Sequence, residues 1–225
     1  MQKLQLQVTA DGSHTLFLPE MDEHYHSVNG AVQESQHVYI NAAFNRCFKE
    51  TIHVLEIGLG TGLNAFLTAL EAEKRKVKVI YTALEKYPLT SEITNHLNYS
   101  DINGDLFQKI HFSEWEKPIP ITAFFSLNKI QIDFKDFDYY GNYDVVYYDA
   151  FAPDKQPEVW SQEIFNKIYS SMNSGGIMTT YCAKGIIRRM MKQAGFEVER
   201  IPGPPGKREM LRSSKLKVKK SEEST

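Results

Sequence analysis

The sequence predicts an α/β fold: a mostly parallel, doubly wound sheet with an antiparallel last strand, preceded by a β-hairpin and helix extension. Three observations carry this expectation. From about residue 51 to 201, short apolar runs alternate with helical patterns, as in chained βαβ units. A glycine turn, Gly58 to Gly62, joins the first of those runs to a helix. Two final strand patterns are joined only by Pro202 to Gly206, and a short connection implies one antiparallel edge.

Taken in order, Leu4 to Val8 and Thr15 to Leu18 flank Ala10-Asp11-Gly12 and predict a β-hairpin. Glu34 to Phe48 fits an amphipathic helix. Ile52 to Ile57 is an apolar strand, followed by the glycine loop and a helix from Leu63 to Lys74. Lys78 to Leu84 predicts a strand, Leu89 to Leu97 a helix and Lys109 to Phe112 a third strand. Ile121 to Phe134 holds two β-rich runs around Asn128-Lys129, the pattern of an inserted hairpin. Tyr143 to Tyr148 is a buried strand, and Pro157 to Met172 a helix with proline in its first turn. Gly176 to Cys182 is a strand, Gly185 to Ala194 a helix, and Phe196 to Ile201 and Arg208 to Arg212 the closing pair. The expected organisation is an extension over 1–50, a main domain over 51–213 and a basic, disordered tail over 214–225. The antiparallel ending matches the Rossmann-like sheet of class I methyltransferases, although fold alone does not establish function.

The chain has 225 residues, 42% hydrophobic and 24% charged, which fits a globular protein rather than a disordered or fibrous one. Two cysteines, Cys47 and Cys182, are too few for a disulfide framework or a four-cysteine zinc site, so a reducing, cytoplasmic compartment is expected. Met1 to Thr9 holds no long apolar run, so no signal peptide is expected. No apolar stretch approaches the roughly 20 residues that span a bilayer.

The sharpest local signal is Val54-Leu55-Glu56-Ile57-Gly58-Leu59-Gly60-Thr61-Gly62-Leu63-Asn64. The dinucleotide fingerprint needs a third glycine where this chain has Leu63, so a nicotinamide cofactor is disfavoured. Glu85 ends the next strand, where a carboxylate can accept both hydroxyls of a ribose. The second constellation runs from Asp149 through Phe151, Pro153, Asp154, Lys155 and Pro157 to Trp160. Asp149 ends a hydrophobic strand, at the sheet edge where open α/β folds bind ligands. A carboxylate there is costly to bury without a partner or a task, an N-cap or salt bridge being the structural alternative.

These blocks resemble the methyltransferase domain of the MnmC family of bacterial tRNA-modifying enzymes, including its free-standing form. The resemblance rests on Gly58 to Asn64, Glu85 to Thr90, Asp149 to Trp160, Ile187-Arg188-Arg189, Ala194-Gly195-Phe196 and Gly206 to Leu211, and spans about Met21 to Arg212. It implies S-adenosylmethionine as cofactor, held by Glu56, Gly58, Gly60, Thr61, Gly62, Asn64, Glu85 and Lys86. Where family members carry Trp-Phe-Gly-Asp, this chain has Asp133-Phe134-Lys135-Asp136, and Asp136 matches the acid that would face the adenine amino group.

The implied reaction is methylation of the 5-aminomethyl group on the wobble uridine, usually 2-thiolated, in the anticodon loop of tRNA. A primary alkyl amine reacts only with its lone pair free, yet its reference pKa lies near that of lysine, about 10.4. A partly dry pocket favours the neutral form, and a carboxylate can hold the amine N–H bonds and aim the lone pair. Asp149 is the candidate for that catalytic role. Bases of single-stranded RNA are usually gripped by aromatic stacking, for which Phe151 and Trp160 are candidates, with Tyr139 and Tyr140 behind them. Pro153, Lys155, Lys184, Arg188, Arg189, Lys207 and Arg208 complete the expected substrate side. The family's oxidase domain is not among these 225 residues, so a separate oxidase is a candidate supplier of the aminomethyl group.

His24, His26 and His37 lack a clear fourth ligand, so no metal site is expected, and Cys182 is taken as a small buried residue. Two rivals stand beside the tRNA reading: a SAM-fold transferase of a small amine such as a polyamine, and a non-catalytic tRNA-binding module. Charge helps to separate them. The net charge is −2, but Lys184 to Thr225 carries 12 Lys and Arg against 5 Asp and Glu, a balance of +7. The other 183 residues carry 14 and 23, a balance of −9. A basic C-terminal part suits phosphate contact, and an acidic remainder suits a cationic amine. The sequence sets no oligomeric state.

Overall fold

The structure is a computed structural model that describes residues 4–216. Its N-terminal part opens with the antiparallel strands β1 (Gln5–Val8), β2 (His14–Leu18) and β3 (Glu23–His24), in that spatial order. The expected hairpin thus gains a third strand. The next helix starts earlier than its periodicity suggests. Helix α1 (Ala31–Ser35) runs into a π-helical turn at Gln36–Asn41, and a 3-10 turn, Phe44–Arg46, ends the segment. A continuous amphipathic helix over residues 34–48 is therefore corrected.

The main sheet is built from β4 (Thr51–Ile57), β5 (Lys78–Glu85), β6 (Pro118–Pro120), β7 (Phe125–Gln131), β8 (Tyr143–Tyr148), β9 (Met172–Thr180), β10 (Glu197–Pro202) and β11 (Glu209–Ser214). Their spatial order is β10-β11-β9-β8-β4-β5-β7-β6. Strands β7, β5, β4, β8 and β9 run parallel to one another in that row, whereas β11 is antiparallel to both β9 and β10. Every residue of β8 is buried, because helices cover both faces of the sheet centre. The two-residue period sends Tyr147 into one core with Val54, Phe66 and Tyr81, and Tyr148 into the other with Leu55, Trp160 and Phe165.

The crossovers are α2 (Leu63–Arg75), α3 (Ser91–Thr94), α4 (Ser100–Phe112), α5 (Gln162–Ser171) and α6 (Gly185–Gln193). Three expectations change here. Lys109 to Phe112 is the end of α4, not a strand; Leu106, Phe107 and Ile110 are the buried residues, spaced as on one helical face. Asn128-Lys129 is not a turn, because β7 runs straight through it beside β5, and the hairpin instead joins β6 to β7. Lys129 is buried and its Nζ donates to the carbonyls of Ile110 (2.9 Å) and His111 (2.7 Å) at the end of α4. The helix after Pro157 is split: a 3-10 turn, Pro157–Val159, precedes α5, whose N-cap Ser161 accepts from the Ile164 N–H.

Side chains of α2 and of the extension itself tie the N-terminal extension to the main domain. Arg75 in the last turn of α2 donates to the carbonyls of Phe44 (3.0 Å) and Cys47 (2.7 Å). Lys49 pairs with the buried Asp144 at 2.5 Å. The expected tail from residue 214 is corrected at its start: Ser214 belongs to β11, and Lys215 Nζ donates to the carbonyls of Tyr169 and Met172, each at 2.8 Å. Its remainder, 217–225, lies outside the described residues. Among the described residues no helix is long and apolar enough to cross a membrane.

Candidate active site

Parallel strands leave their carboxyl ends on one edge of the sheet, and the loops after β4, β5 and β8 converge there. The Leu84 carbonyl accepts hydrogen bonds from the backbone N–H groups of Gly58 and Leu59, both at 3.0 Å, so the glycine loop leans over the end of β5. The Asp149 N–H donates to the Ile57 carbonyl at 3.0 Å and ties the end of β8 to the same loop. Gly58 has φ +91°, and a Cβ there would stand 2.7 Å from the Asp149 carbonyl oxygen. Gly60 has φ +52°, and its Cβ would press on the Tyr25 ring at 3.0 Å. Side chains at either position would close the space between loop, sheet and extension.

That space is a cavity of about 460 Å³. Its floor is Gly58, Leu59, Gly60 and Thr61; Glu85, Lys86, Tyr87 and Phe134 form one wall, and Asp149, Ala150 and Phe151 another. The N-terminal extension supplies the remaining side, from Leu18 to Val28 and Glu34, with Tyr181 and Lys207 entering from the far end of the sheet. Glu85 accepts from the Gly60 N–H at 3.0 Å and the Tyr87 N–H at 2.8 Å, which fixes its carboxylate while leaving lone pairs for a diol. Burial raises its pKa, against the opposing pull of the N–H groups of Tyr87, Gly60 and Lys86. Lys86 is tethered to Asp133 at 2.8 Å.

Asp149 has both carboxylate oxygens engaged. The Tyr39 hydroxyl donates to Oδ1 at 2.5 Å, and Asn64 Nδ2 donates to Oδ2 at 2.8 Å. Burial pushes its carboxyl up to about 7; Glu34 pushes the same way, while the bonds from Tyr39 and Asn64 and the charge of Lys207 oppose. The Asn64 amide also donates to Glu56 Oε1 at 3.0 Å. Burial likewise holds Glu56 well above the usual carboxylate range, and its Oε2 has no hydrogen-bond partner among the described residues. One amide thus bridges the buried carboxyl of Glu56 and the half-buried one of Asp149, and only Asp149 faces the cavity.

Other expected site residues stand elsewhere. Glu56, Asn64 and Gly62 lie beneath the cavity floor rather than in it, so they act on the loop from below. Asp136 is exposed in a turn, away from the cavity, and Phe134 faces it instead. Trp160 is not a stacking platform: it is 3% exposed, packed against Tyr148, and its Nε1 donates to the Phe151 carbonyl at 2.7 Å. Tyr139 is core, while Tyr140 is exposed. Pro153 and Lys155 sit outside the lining, Lys155 lying 3.7 Å from Asp22. Lys184 pairs with Asp154 outside the mouth. Arg188, Arg189 and Arg208 also lie outside the lining and make no ion pair with a described residue.

Lys207 does line the cavity, with Nζ 2.7 Å from Glu34 Oε1 and 3.9 Å from the centre of the Tyr181 ring. Sequence reasoning missed Glu34, Tyr39, Tyr25 and Tyr181. Tyr39 sits in Val38-Tyr39-Ile40, which looks like plain core, and only the packing of the extension on β8 shows its hydroxyl meeting Asp149. Among the described residues no group of three or more His, Cys, Asp or Glu is arranged to hold a metal. His24 bonds Gln7, His26 lies beside Thr61, and His37 reaches the Pro202 carbonyl.

The donor set fits a nucleoside carrying a positive charge: a fixed carboxylate for the ribose, a close-approach glycine floor, and acids outnumbering cations. Comparison with known proteins agrees. The family model described as S-adenosyl-L-methionine-dependent methyltransferase matches residues 84–216, more than half of the chain. A bifunctional protein MnmC for tRNA 5-methylaminomethyl-2-thiouridine biosynthesis in Marinomonas sp. (strain MWYL1) is 29% identical over 215 residues, covering 85% of this chain and 31% of that protein. Its namesake in Actinobacillus pleuropneumoniae serotype 5b (strain L20) is 30% identical, covering 89% and 34%. The chain therefore spans about a third of the length of these curated relatives. Among solved structures, MNMC2 from Aquifex aeolicus superposes with a TM-score of 0.80 at 23% identity, over 97% of this chain and 72% of that one. Spermidine synthase from Thermotoga maritima gives 0.64 at 13% identity, over 95% and 69%. At those identities the two structures speak for the fold.

Proposed function

The chain belongs to the S-adenosyl-L-methionine-dependent methyltransferase family, and from that premise we propose that it methylates the 5-aminomethyl group of the wobble uridine, or 2-thiouridine, of tRNA. The curated relatives are named for 5-methylaminomethyl-2-thiouridine, the product of such a step. The observation that carries the reading is Asp149: a carboxylate held at both oxygens, in the wall of the cavity that also contains the glycine floor and Glu85.

When bound, S-adenosyl-L-methionine supplies an activated methyl group on a sulfonium. Glu85 would take the ribose hydroxyls, with Gly58, Gly60 and Thr61 beneath the ligand and Lys86 and Phe134 beside it. Asp149 first attracts the substrate as an ammonium. After proton loss it accepts the amine N–H bonds, which leaves the nitrogen lone pair directed away from the carboxylate. The new carbon–nitrogen bond would form from that lone pair as the methyl–sulfur bond breaks and its electron pair stays on sulfur, and the proton then lost from nitrogen passes to Asp149 or to water. Holding the reacting atoms in line supplies most of the acceleration in such a site. Phe151 at the mouth, edge-on to Tyr25 at 5.1 Å, is the aromatic candidate for the base. Arg188, Arg189 and Arg208 are proposed to meet the phosphates of the anticodon stem-loop. A separate oxidase as supplier of the aminomethyl group and a cytoplasmic location belong to the same proposal.

Transfer of labelled methyl from S-adenosyl-L-methionine into tRNA from cells lacking this modification tests the reading, with polyamines as parallel substrates. Label is expected in tRNA. Label only in polyamine assigns the site to a small-amine transferase, and absence of cofactor binding assigns the chain to a non-catalytic role.

A further inference from the structure

Residues Glu34 and Tyr39 lie five apart on one helical segment, yet both reach the cavity: Glu34 lines it, and the Tyr39 hydroxyl meets Asp149 in its wall. On an uninterrupted α-helix, side chains five residues apart point about 140° away from each other. Here the segment is not α-helical throughout. Gln36–Asn41 is a π-helical turn, with the Ala42 N–H donating to the His37 carbonyl at 3.2 Å. In a π turn the bond runs from i to i+5, so each turn takes more residues and the faces after Ser35 no longer follow the 3.6-residue period of α1. From that turn Tyr39 carries a phenol to Asp149, the residue after β8, while Glu34 in α1 holds Lys207.

The delivered hydroxyl donates to Asp149 Oδ1 at 2.5 Å. Burial, with Asp149 beside it, holds Tyr39 well above the ordinary tyrosine range, so it remains a donor throughout the working pH range. Its ring is fixed against Tyr147 at 5.1 Å, on the same strand. A donor so placed stabilises the charged carboxylate and restricts which lone pairs remain for a substrate amine.

We propose that Tyr39 is the positioning residue of Asp149: carried by the π turn, its hydroxyl fixes Oδ1 and sets the pH at which the carboxylate becomes available to the amine. This rests on the reading of Asp149 as the amine-holding group. Other groups facing Asp149 are Glu34 from α1, Lys207 from the β10–β11 loop, Glu56 from β4, Tyr81 from β5 and Tyr181 after β9. Tyr39→Phe leaves all of them in place and removes one oxygen.

The test compares wild type and Tyr39→Phe in two ways. In methyl transfer to tRNA, the variant is expected to lose about tenfold or more in kcat near neutral pH. Its acid limb moves to higher pH, its deficit narrows as pH rises, and its affinity for S-adenosyl-L-methionine stays unchanged. In carboxyl carbon NMR of the ligand-free protein, the Asp149 titration midpoint moves to higher pH. If Tyr39→Phe fails to fold, site-specific 3-fluorotyrosine at position 39 gives the opposite sign, because a more acidic phenol lowers the midpoint. A midpoint that coincides with wild type overturns the proposal, as does a kcat loss equal at every pH. If wild type methylates no tRNA, the functional reading fails, and the NMR midpoint still decides the role of Tyr39 separately.

Discussion

Gly58 and Asp149 meet backbone against backbone: a Cβ on Gly58 would lie 2.7 Å from the Asp149 carbonyl oxygen, and Gly58 itself has φ +91°. Two motifs far apart in the sequence thus touch directly at the mouth of the sheet.

Gly58→Ala is expected to strain the loop and push Asp149 outward together. The left-handed conformation alone costs about 1–3 kcal/mol for a residue with a side chain. Chemical denaturation should show at least that decrease, and titration calorimetry should show weakened cofactor binding.

Asn64 joins the carboxyls of Glu56 and Asp149 through one amide. Asn64→Ala leaves an acceptor on each side without its donor and is expected to destabilise the fold by about 1–3 kcal/mol. Glu56→Gln keeps an acceptor for Asn64 and removes a group whose carboxyl burial already holds toward the neutral form. Its change should stay within about 1 kcal/mol. Denaturation midpoints compared at equal slope test both.

Stability should also depend on pH through Asp149. Its carboxyl titrates near 3.8 when unfolded and is pushed up to about 7 in the native chain. Between those values the native state holds a proton that the unfolded state has released, so stability falls as pH rises. The contribution is full below 3.8 and lost as pH passes about 7. Asp149→Asn should flatten that slope in unfolding measured from about pH 4 to 8, and an unchanged slope would count against the assignment.

Arg188 and Arg189 carry charges that no described acid pairs, whereas Lys155, Lys184 and Lys207 stand beside Asp22, Asp154 and Glu34. Arg188→Ala with Arg189→Ala should weaken tRNA binding and make the log–log salt slope shallower by about one for each phosphate that is no longer neutralised. Cofactor affinity should not change.

Much of this is legible in the sequence, for identifiable reasons. Gly58 to Asn64, Glu85 and Asp149 carry their signal in local spacing, and the parallel strands in continuous apolar runs. Lys109 to Phe112 reads as a strand because four residues can satisfy both a strand and a helix period; the buried Leu106, Phe107 and Ile110 settle it as helix. Asn128-Lys129 has turn composition, but Lys129 is drawn inside by two carbonyls at the end of α4, a partner that no local pattern shows. Trp160 reads as part of the mouth because it closes a motif; in three dimensions it supports Phe151 from the core. Tyr39 is invisible in the sequence because a π turn does not follow the 3.6 period that reveals a helical face, and Glu34 because its partner Lys207 is 173 residues away.

The proposed chemistry turns on Asp149 holding the wobble aminomethyl group for methylation. The decisive measurement digests tRNA after incubation with wild type or Asp149→Ala and identifies the methylated nucleoside, with cofactor affinity measured in parallel. Wild type is expected to yield 5-methylaminomethyl-(2-thio)uridine, and Asp149→Ala to lose that product by orders of magnitude while it retains cofactor affinity. Methyl on any other nucleoside, or equal loss of cofactor binding and turnover in the variant, would contradict the role of Asp149.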